Sequence, residues 1–350
     1  TCGHPFDTKV SMKSWMKNAN VTFFMRMISA NKSISLLYVG ASVLFLASLL
    51  VLLPVKAEKV KDSDFNFVAA GDWGCGHEAL NTFSMMKSMK PELYLGLGDY
   101  SYENSIDCWA NIVNSVGESF KIALGNHDTQ GQLLKAYMDK FKLEKQYYSF
   151  NYRNAHFIAL STQLDKGGEI EQLKFLKSDL MITKSNKNID WTIVFFHIPF
   201  YSADESYTTN MRRTYHPVFD KFGVDLVLQG HSHNYQRSYP LIYNDVRHSE
   251  PIISDKEQFQ YEDPDGPIFV IVGTGGESIK HLNNKYFLAK TYEGYGCINV
   301  EIAGKSMNVE YYSDSNNPID KFSITKNHYD LEREDLNSDM QRIEYYQSSK

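Results

Sequence analysis

The chain has 350 residues, of which 43% are hydrophobic and 22% are charged, and this is enough for one large domain or two modest ones with a sizeable core. Its formal net charge at pH 7 is −6. The sequence shows no basic stripe of the kind that neutralises a phosphate backbone. We therefore expect no nucleic acid binding.

The N-terminal part of the chain differs from the rest in composition. No charged residue occurs at positions 33–55, and positions 36–53 are almost wholly apolar, so residues 34–57 are predicted to be a signal peptide or a membrane anchor. Basic residues precede this segment, and the positive-inside rule then places the rest of the chain outside the cytoplasm, either secreted or anchored. Any membrane association is expected through residues 34–55.

Two alternatives stay open for this N-terminal part. Residues 55–57, Val-Lys-Ala, resemble a signal-peptide cleavage site, yet the apolar stretch is longer than the usual core of about 7–15 residues and could span a bilayer. Residues 1–33 form a basic segment that could lie outside the true product, because Met12, Met25 and Met27 could each begin it.

Between residues 64 and 325, strand patterns alternate with helix patterns and then give way to strands alone. Strands are predicted at 65–70, 93–97, 120–124, 191–196 and 224–228, and helices at 78–90, 130–141, 169–181 and 211–222. Later strands are predicted at 237–243, 267–273, 298–302, 307–312 and 322–325. This alternation indicates an α/β catalytic domain with helices outside a buried sheet and a second sheet, made by the later strands, packed on the first. Residues 326–350 are predicted to be a charged tail.

Each of the first five predicted strands ends in a polar side chain that could bind a metal, beside a glycine or at the end of an apolar run. Tight loops follow these strand ends, so ligands from several strands can converge on one point. The candidate ligands are Asp72 after the first strand, Asp99 and Tyr102 after the second, Asn126 after the third, His197 after the fourth, and His231 and His233 after the fifth.

The mixture of ligand types indicates which metals would bind. The Asp99 carboxylate can bridge two cations, Asn126 offers a neutral oxygen, and the histidines offer nitrogen, a set suited to Fe, Zn or Mn rather than Ca or Mg. Two such ions about 3.5–4 Å apart can clamp a phosphate and activate a bound water. Each motif alone is a weak signal, but the ordered set of five predicts a binuclear site for phosphate ester hydrolysis.

The motif order resembles that of the metallophosphoesterases, the calcineurin-like phosphoesterase superfamily, and specifically that of the purple acid phosphatases. It reads Asp-x-Gly, Gly-Asp-x-x-Tyr, Gly-Asn-His-Asp, a strand-terminal His and Gly-His-x-His, and the resemblance is close over residues 65–239 and looser over the later strands. It implies an α/β fold of the four-layer α-β-β-α sandwich type with two mixed sheets. The domain has the size of the small mammalian enzymes rather than of the large plant ones.

One position separates the branches of this superfamily. The first motif of the broad superfamily usually reads Asp-x-His, whereas Gly74 here has no side chain to bind with, and Tyr102 replaces the lost ligand. A phenolate is a hard ligand that stabilises Fe(III), which favours the purple acid phosphatase branch.

The resemblance also implies a distribution of ligands and a mechanism. Fe(III) would be held by Asp72, Asp99, Tyr102 and His233, and a divalent Fe, Zn or Mn ion by Asp99, Asn126, His197 and His231. A metal-bound hydroxide would attack the phosphorus of a monoester. His127 would bind the phosphate or protonate the leaving oxygen, and Asp128, the next residue, would either orient His127 or simply cap the loop.

The sequence departs from the large plant enzymes in the loop at positions 202–210, which contains no histidine. The acid that protonates the leaving group is therefore open between His127, Tyr207, Glu205 and His77. The substrate class is open too, because the motifs fix a small phosphoester but not its second substituent. A phosphodiesterase or nucleotide hydrolase is the alternative on the same metals, and a membrane-tethered binding protein with a vestigial site is the alternative without catalysis.

The cysteines are few, with only Cys75, Cys108 and Cys297 beyond the N-terminal segment. An odd number excludes a disulfide framework. Cys75 and Cys108 each follow a predicted metal-site strand, so they are either paired across the rim of the site or free thiols. Cys297 lies in an alternating strand pattern and is predicted to be a buried apolar group.

Overall fold

Two mixed β-sheets form the centre of the protein in a computed structural model that describes residues 64–313 and 317–327. The spatial order of the first sheet is β10 (Gln260–Glu262), β15 (Asp320–Thr325), β14 (Ser306–Tyr312), β13 (Cys297–Ala303), β1 (Phe65–Ala70), β2 (Leu93–Gly96) and β3 (Phe120–Ile122). The order of the second is β12 (Leu288–Tyr292), β8 (Tyr235–Ile242), β11 (Ile268–Val272), β7 (Leu226–Gln229), β6 (Trp191–Phe195), β5 (Ala155–Ala159) and β4 (Tyr148–Tyr152), with β9 (Ile252–Ile253) paired to β8.

Helices connect these strands along the chain. The α-helices are α1 (His77–Ser88), α2 (Asp107–Val113), α3 (Leu133–Phe141), α4 (Lys166–Ser185) and α5 (Arg212–Phe222), and short 3₁₀ helices occur at Asn114–Ser119 and Glu205–Tyr207. The αL residues Lys142 and Gly223 end α3 and α5, as is common at helix C-termini.

The apolar faces of the sheets decide the layer order. Phe67 of the first sheet meets Phe157 of the second edge to face, with ring centroids 5.3 Å apart, so this face is internal. Tyr94 lies on the opposite face of the first sheet and contacts Phe83 of α1. On the second sheet Ile158 packs on the outer side in one cluster with buried residues of α4 and α5. The α-β-β-α sandwich predicted from the sequence is confirmed.

Parallel pairing brings the ligand-bearing loops to one edge of the sandwich. β1, β2 and β3 are parallel neighbours, and so are β5, β6, β7 and β11. The carboxyl ends of parallel strands lie at the same edge of a sheet, so the loops after β1, β2, β3, β6 and β7 meet there.

The division of strands between the sheets differs from the prediction. We expected the later strands to make the second sheet, but β13, β14, β15 and β10 join the first sheet, where β13 pairs antiparallel with β1. Of the later strands, only β8, β9, β11 and β12 join the second sheet, and β6 and β7, which we expected in the first sheet, lie in the second as well. Alternating hydrophobicity specifies which face of a strand is buried but not which strand lies beside it. The hairpin of β4 and β5 and the short helix α2 were not predicted.

Several predictions concern residues outside the described ranges. The basic segment at 1–33, the signal peptide or anchor at 34–57 and residues 328–350 of the charged tail belong to these. Within the described ranges no helix combines the length and the apolar character that a membrane crossing requires. Cys297 is fully buried in β13, as predicted.

Candidate metal centre

The loops that carry the predicted ligands have an unusual backbone. Asp72, Asp99, Tyr102 and His231 have φ angles of 60°, 53°, 56° and 68°, in the left-handed region that non-glycine residues rarely adopt. Eight non-glycine residues of the described ranges have a positive φ, and these four are half of them. Such strained positions concentrate where the surrounding structure holds a functional geometry in place.

Asp99, His197 and His231 form the first half of the site. Nε2 of His197 lies 3.0 Å from Oδ2 of Asp99 and 3.2 Å from Nδ1 of His231. One ligand atom from each of the three lies within 4.8 Å of the others, a spacing that could hold a metal ion. Asp99 and His197 are buried and His231 is half-buried.

Asp72, Tyr102 and His233 form the second half. The Tyr102 hydroxyl donates to Oδ1 of Asp72 at 3.3 Å and lies 3.2 Å from Nε2 of His233. Nε2 of His233 lies 3.3 Å from the same carboxylate oxygen. The Tyr102 hydroxyl oxygen also lies 3.5 Å from Oδ2 of Asp99, so the two halves of the site are adjacent at Asp99.

Asn126 provides a test of whether a metal fits. Its side-chain oxygen is buried and has no hydrogen-bond partner among the residues that the structure describes. A buried acceptor without a donor is costly and rare in folded proteins, and a bound cation would satisfy this one. Together with carboxylate, phenol and imidazole groups, this oxygen makes a donor set that fits Fe, Zn or Mn.

Two of the histidines are oriented by backbone carbonyls. Nδ1 of His197 bonds the carbonyl of Leu97 at 2.8 Å, and Nδ1 of His233 bonds the carbonyl of Ser278 at 2.9 Å. These bonds turn both Nε2 atoms toward the site, in the way that outer groups orient metal-binding imidazoles. The backbone N–H of His231 donates to Oδ2 of Asp72 at 2.8 Å and connects the loop after β7 to the loop after β1.

Burial and the charges of Asp72 and Asp99 shift the pKa values of three predicted ligands. Burial opposes protonation of His197, but the charges of Asp99 and Asp72 raise its pKa to about 10. Burial and the charge of His197 lower the pKa of His231 to about 4. Burial and the charges of Asp72 and Asp99 raise the pKa of Tyr102. The carboxylates of Asp72 and Asp99 thus favour positive charge between them, which a metal ion would supply.

Asp128 lies beneath the loops. Its carboxylate accepts the backbone N–H groups of Asp99 at 2.7 Å, Gly125 at 2.8 Å and Tyr100 at 2.9 Å, and it is buried. Of the two roles that the sequence left open for Asp128, these bonds match the loop cap, because they go to the backbone of the loops after β2 and β3. The ring of His127 instead packs against that of Tyr102 at an angle of 36°, with centroids 4.4 Å apart.

Glycines are required where the loops approach the ligands closely. A Cβ on Gly125 would lie 2.2 Å from Oδ1 of Asp99, and one on Gly98 would lie 2.6 Å from Nδ1 of His197. Gly98 also has a φ of 90°. No other residue fits these two places without moving a ligand.

The sequence reasoning missed the loop after β11, which contributes Glu277 and Ser278. The Glu277 N–H donates to the carbonyl of Asp72 at 2.9 Å. A side-chain oxygen of Glu277 lies 3.2 Å from where a Cβ on Gly74 would be, so this carboxylate occupies space next to the shortened first motif. An available signal was the run Gly273-Thr-Gly-Gly, since it follows a wholly apolar strand as the recognised motifs do.

The remaining sequence candidates lie at the rim. Tyr207 approaches His231, with ring centroids 5.6 Å apart, while the exposed Glu205 pairs with Arg212 over 3.4 Å. His77 is exposed at the start of α1. Of the four candidates for the leaving-group acid, His127 and Tyr207 contact predicted ligands. Glu205 and His77 have no such contact among the described residues.

A disulfide joins Cys75 to Cys108, with the two Cα atoms 5.7 Å apart. It connects the loop after β1 to α2, and the segment that carries Tyr102 lies between them in the chain. Of the two alternatives left open by the sequence, the structure has the paired one.

Comparison with known proteins identifies the family. Residues 65–235 match the family described as calcineurin-like phosphoesterase. The chain is 26% identical over 259 residues to purple acid phosphatase 15 of Arabidopsis thaliana, covering 60% of this chain and 44% of that protein. Residues 65–235 belong to the calcineurin-like phosphoesterase family, and the chain is similar to purple acid phosphatases. It is also 28% identical over 250 residues to Fe(3+)-Zn(2+) purple acid phosphatase 12 of the same plant, covering 62% of this chain and 51% of that one.

Solved structures agree with this phosphoesterase fold. The purple acid phosphatase PPD1 from yellow lupin seeds has a TM-score of 0.64 at 22% identity, over 76% of this chain and 54% of that one. GAP50, the anchor in the inner membrane complex of Plasmodium, has a TM-score of 0.58 at 19% identity, over 77% and 90%. The chain spans about half the length of the curated relatives it matches.

Proposed function

We propose that this metallophosphoesterase hydrolyses phosphate monoesters at a binuclear centre of Fe(III) and a divalent Fe, Zn or Mn ion. The observation that supports the proposal is the cluster in which five predicted ligands, Asp72, Tyr102, His197, His231 and His233, lie around a sixth, Asp99. The buried side-chain oxygen of Asn126, which has no hydrogen-bond partner among the described residues, adds to this support. Relatives named as purple acid phosphatases, one of them named as an Fe(3+)-Zn(2+) enzyme, support the activity and the metals.

Each ion would have its own ligands, with one shared. Fe(III) would be held by Asp72, Asp99, Tyr102 and His233, and the divalent ion by Asp99, Asn126, His197 and His231. Two such ions would polarise the phosphate and lower the pKa of a bound water.

His127 is the residue we assign to the substrate. Its backbone N–H donates to Oδ1 of Asp99 at 2.8 Å and its ring packs at an angle against that of Tyr102, so the half-buried imidazole lies beside the predicted ligands. From there it would bind the phosphate or protonate the leaving oxygen. Asp128 acts through the backbone of the ligand loops and is a positioning residue.

We also infer that the enzyme works outside the cytoplasm on small phosphoesters. The apolar segment at 34–57 supports secretion or anchoring, and the disulfide between Cys75 and Cys108 fits an oxidising compartment. A net charge of −6 argues against a nucleic acid partner.

The test uses the full chain purified without chelators. We expect about two metal ions per chain and turnover of p-nitrophenyl phosphate well above that of bis(p-nitrophenyl) phosphate. Asp99→Asn should lower turnover by at least about 100-fold and release metal, because it weakens the ligand that both ions share. Faster turnover of the diester would show that the protein is a phosphodiesterase on the same metals. A chain that binds no metal and shows no turnover would refute the proposal.

A further inference from the structure

The loop at positions 202–210 covers the His231 side of the site and is fixed at both ends. The N–H of Ala203 donates to Oε1 of Gln236 at 2.7 Å, and the N–H of Thr209 donates to the carbonyl of Pro199 at 3.0 Å. Between these anchors the loop is exposed to solvent except for the half-buried Tyr207 and its neighbour.

Tyr207 is the part of this loop that meets the candidate metal centre. Its ring approaches the His231 ring at a centroid distance of 5.6 Å and an interplanar angle of 79°, an edge-to-face contact. Tyr207 itself is half-buried, so its ring lies against His231 and keeps part of its surface open to solvent. A substituent on a phosphate bound at the metals would pass this ring on its way out of the site.

Arg212, the first residue of α5, forms hydrogen bonds with the chain on both sides of Tyr207. One Nη donates to Oγ1 of Thr208 at 2.8 Å and to the carbonyl of Phe200 at 3.1 Å, and the other lies 3.4 Å from Oε2 of Glu205. Only 7% of Arg212 is exposed. A guanidinium this buried needs its partners, so the contacts hold the loop in one arrangement.

We propose that Tyr207 is a specificity-determining residue that favours aromatic leaving groups, and that Glu205 and Arg212 are positioning residues that hold its ring in place. This inference rests on the proposed phosphomonoesterase function. A flat ring at the exit of the site contacts another flat ring over a larger area than it contacts a small alkyl group. The ring, rather than the hydroxyl, carries this effect.

The first experiment compares hydrolysis of p-nitrophenyl phosphate and glycerol 3-phosphate by the full chain with its metals. Tyr207→Ala should raise KM for the aryl ester about tenfold and leave KM for the glycerol ester within about twofold, with metal content unchanged. Tyr207→Phe should behave as wild type on both esters. Glu205→Gln should change the ratio of the two KM values in the same direction as Tyr207→Ala, by about threefold, with kcat for the glycerol ester unchanged.

A matched control is Phe259→Ala, which removes an aromatic ring that is 64% exposed and should leave both KM values unchanged. An unchanged ratio in Tyr207→Ala would overturn the proposal. A loss in Tyr207→Phe equal to that in Tyr207→Ala would overturn it as well, since the hydroxyl would then be the active group and a proton donor.

The second experiment separates this inference from the proposed function. Binding of phenylphosphonate and methylphosphonate to wild type and Tyr207→Ala is measured by calorimetry, because phosphonates bind without being hydrolysed. We expect wild type to prefer phenylphosphonate and Tyr207→Ala to lose about tenfold of that preference. If the preference is present in a chain that hydrolyses no ester, the proposed function fails and the role of Tyr207 stands. Equal binding of the two phosphonates by wild type would overturn that role.

Discussion

The hydroxyl of Tyr102 lies 3.2 Å from Nε2 of His233, although 131 positions separate the two residues in the chain. Both also contact Oδ1 of Asp72, so three strand ends from two sheets meet at one carboxylate oxygen. A phenol therefore lies beside the carboxylate of the first motif, among the predicted ligands of this half of the site.

Asn126→Ala should have opposite effects on metal binding and on metal-free stability. The variant loses a ligand of the divalent ion, so affinity for that ion should fall by about 10- to 100-fold. Titration of the divalent metal into protein that a chelator has stripped of its ions measures this affinity. It also removes a buried acceptor without a donor, so the free energy of unfolding of the metal-free protein should stay equal or rise by about 1 kcal/mol. Lower metal-free stability would show that the oxygen has a partner within the protein.

Asp128→Asn tests positioning against catalysis. Replacing a carboxylate that accepts three backbone N–H groups should lower the free energy of unfolding by about 1–3 kcal/mol and reduce metal content. Urea unfolding and metal analysis measure both. His127→Ala is the control, because it should lower kcat while leaving stability within about 0.5 kcal/mol. A variant of Asp128 with unaltered stability and a changed pH profile of kcat would restore it as the partner of His127.

Gly125→Ala should abolish metal binding. Its Cβ would fall 2.2 Å from Oδ1 of Asp99, which forces the shared ligand or the loop to move. Gly76→Ala is the matched control, because a Cβ there meets nothing within 4 Å and the residue is exposed. Metal content after gel filtration should be near zero for the first variant and normal for the second. Normal metal content in both would mean that the loop yields more easily than its packing indicates.

Removal of the disulfide should destabilise the domain without removing the site. The double variant Cys75→Ser and Cys108→Ser opens a loop whose ends are 33 positions apart, and loop entropy predicts a loss of about 3–4 kcal/mol. Thermal unfolding with and without reductant measures it. Reductant should lower the midpoint of wild type and leave the double variant unchanged, because the remaining described cysteine, Cys297, is buried and free. Equal midpoints for wild type with and without reductant would contradict a disulfide in solution.

The candidate ligands could be predicted from the sequence because each follows a short local pattern. An apolar run followed by glycine and a polar residue, as at Asp99, predicts a buried strand that turns sharply, and parallel strand ends meet at one edge. The seven candidate ligands therefore came from short stretches of chain. Their backbone strain, as in the φ of 53° at Asp99, could not be predicted from residue types other than glycine.

The parts that were missed depend on distant pairing. Nothing local to Ile298 specifies that it lies opposite Ala69 of β1 rather than beside a strand of the second sheet. In the same way, Glu277 reaches the site only because β11 pairs with β7 and delivers its loop to the ligand edge. Arg212 was part of a predicted helix, but its hydrogen bonds to Glu205 and Thr208 could not be predicted, because they depend on where the fold buries its guanidinium.

The visible absorption spectrum of the metal-loaded protein tests the central claim most directly. A phenolate bound to Fe(III) should give a broad charge-transfer band, and Tyr102→Phe should abolish that band while the ligands on the Asn126 side keep the divalent ion, with metal content measured on the same samples. Retention of the band in Tyr102→Phe, or a colourless wild type that holds two Zn or Mn ions, would contradict an Fe(III) site built on Tyr102.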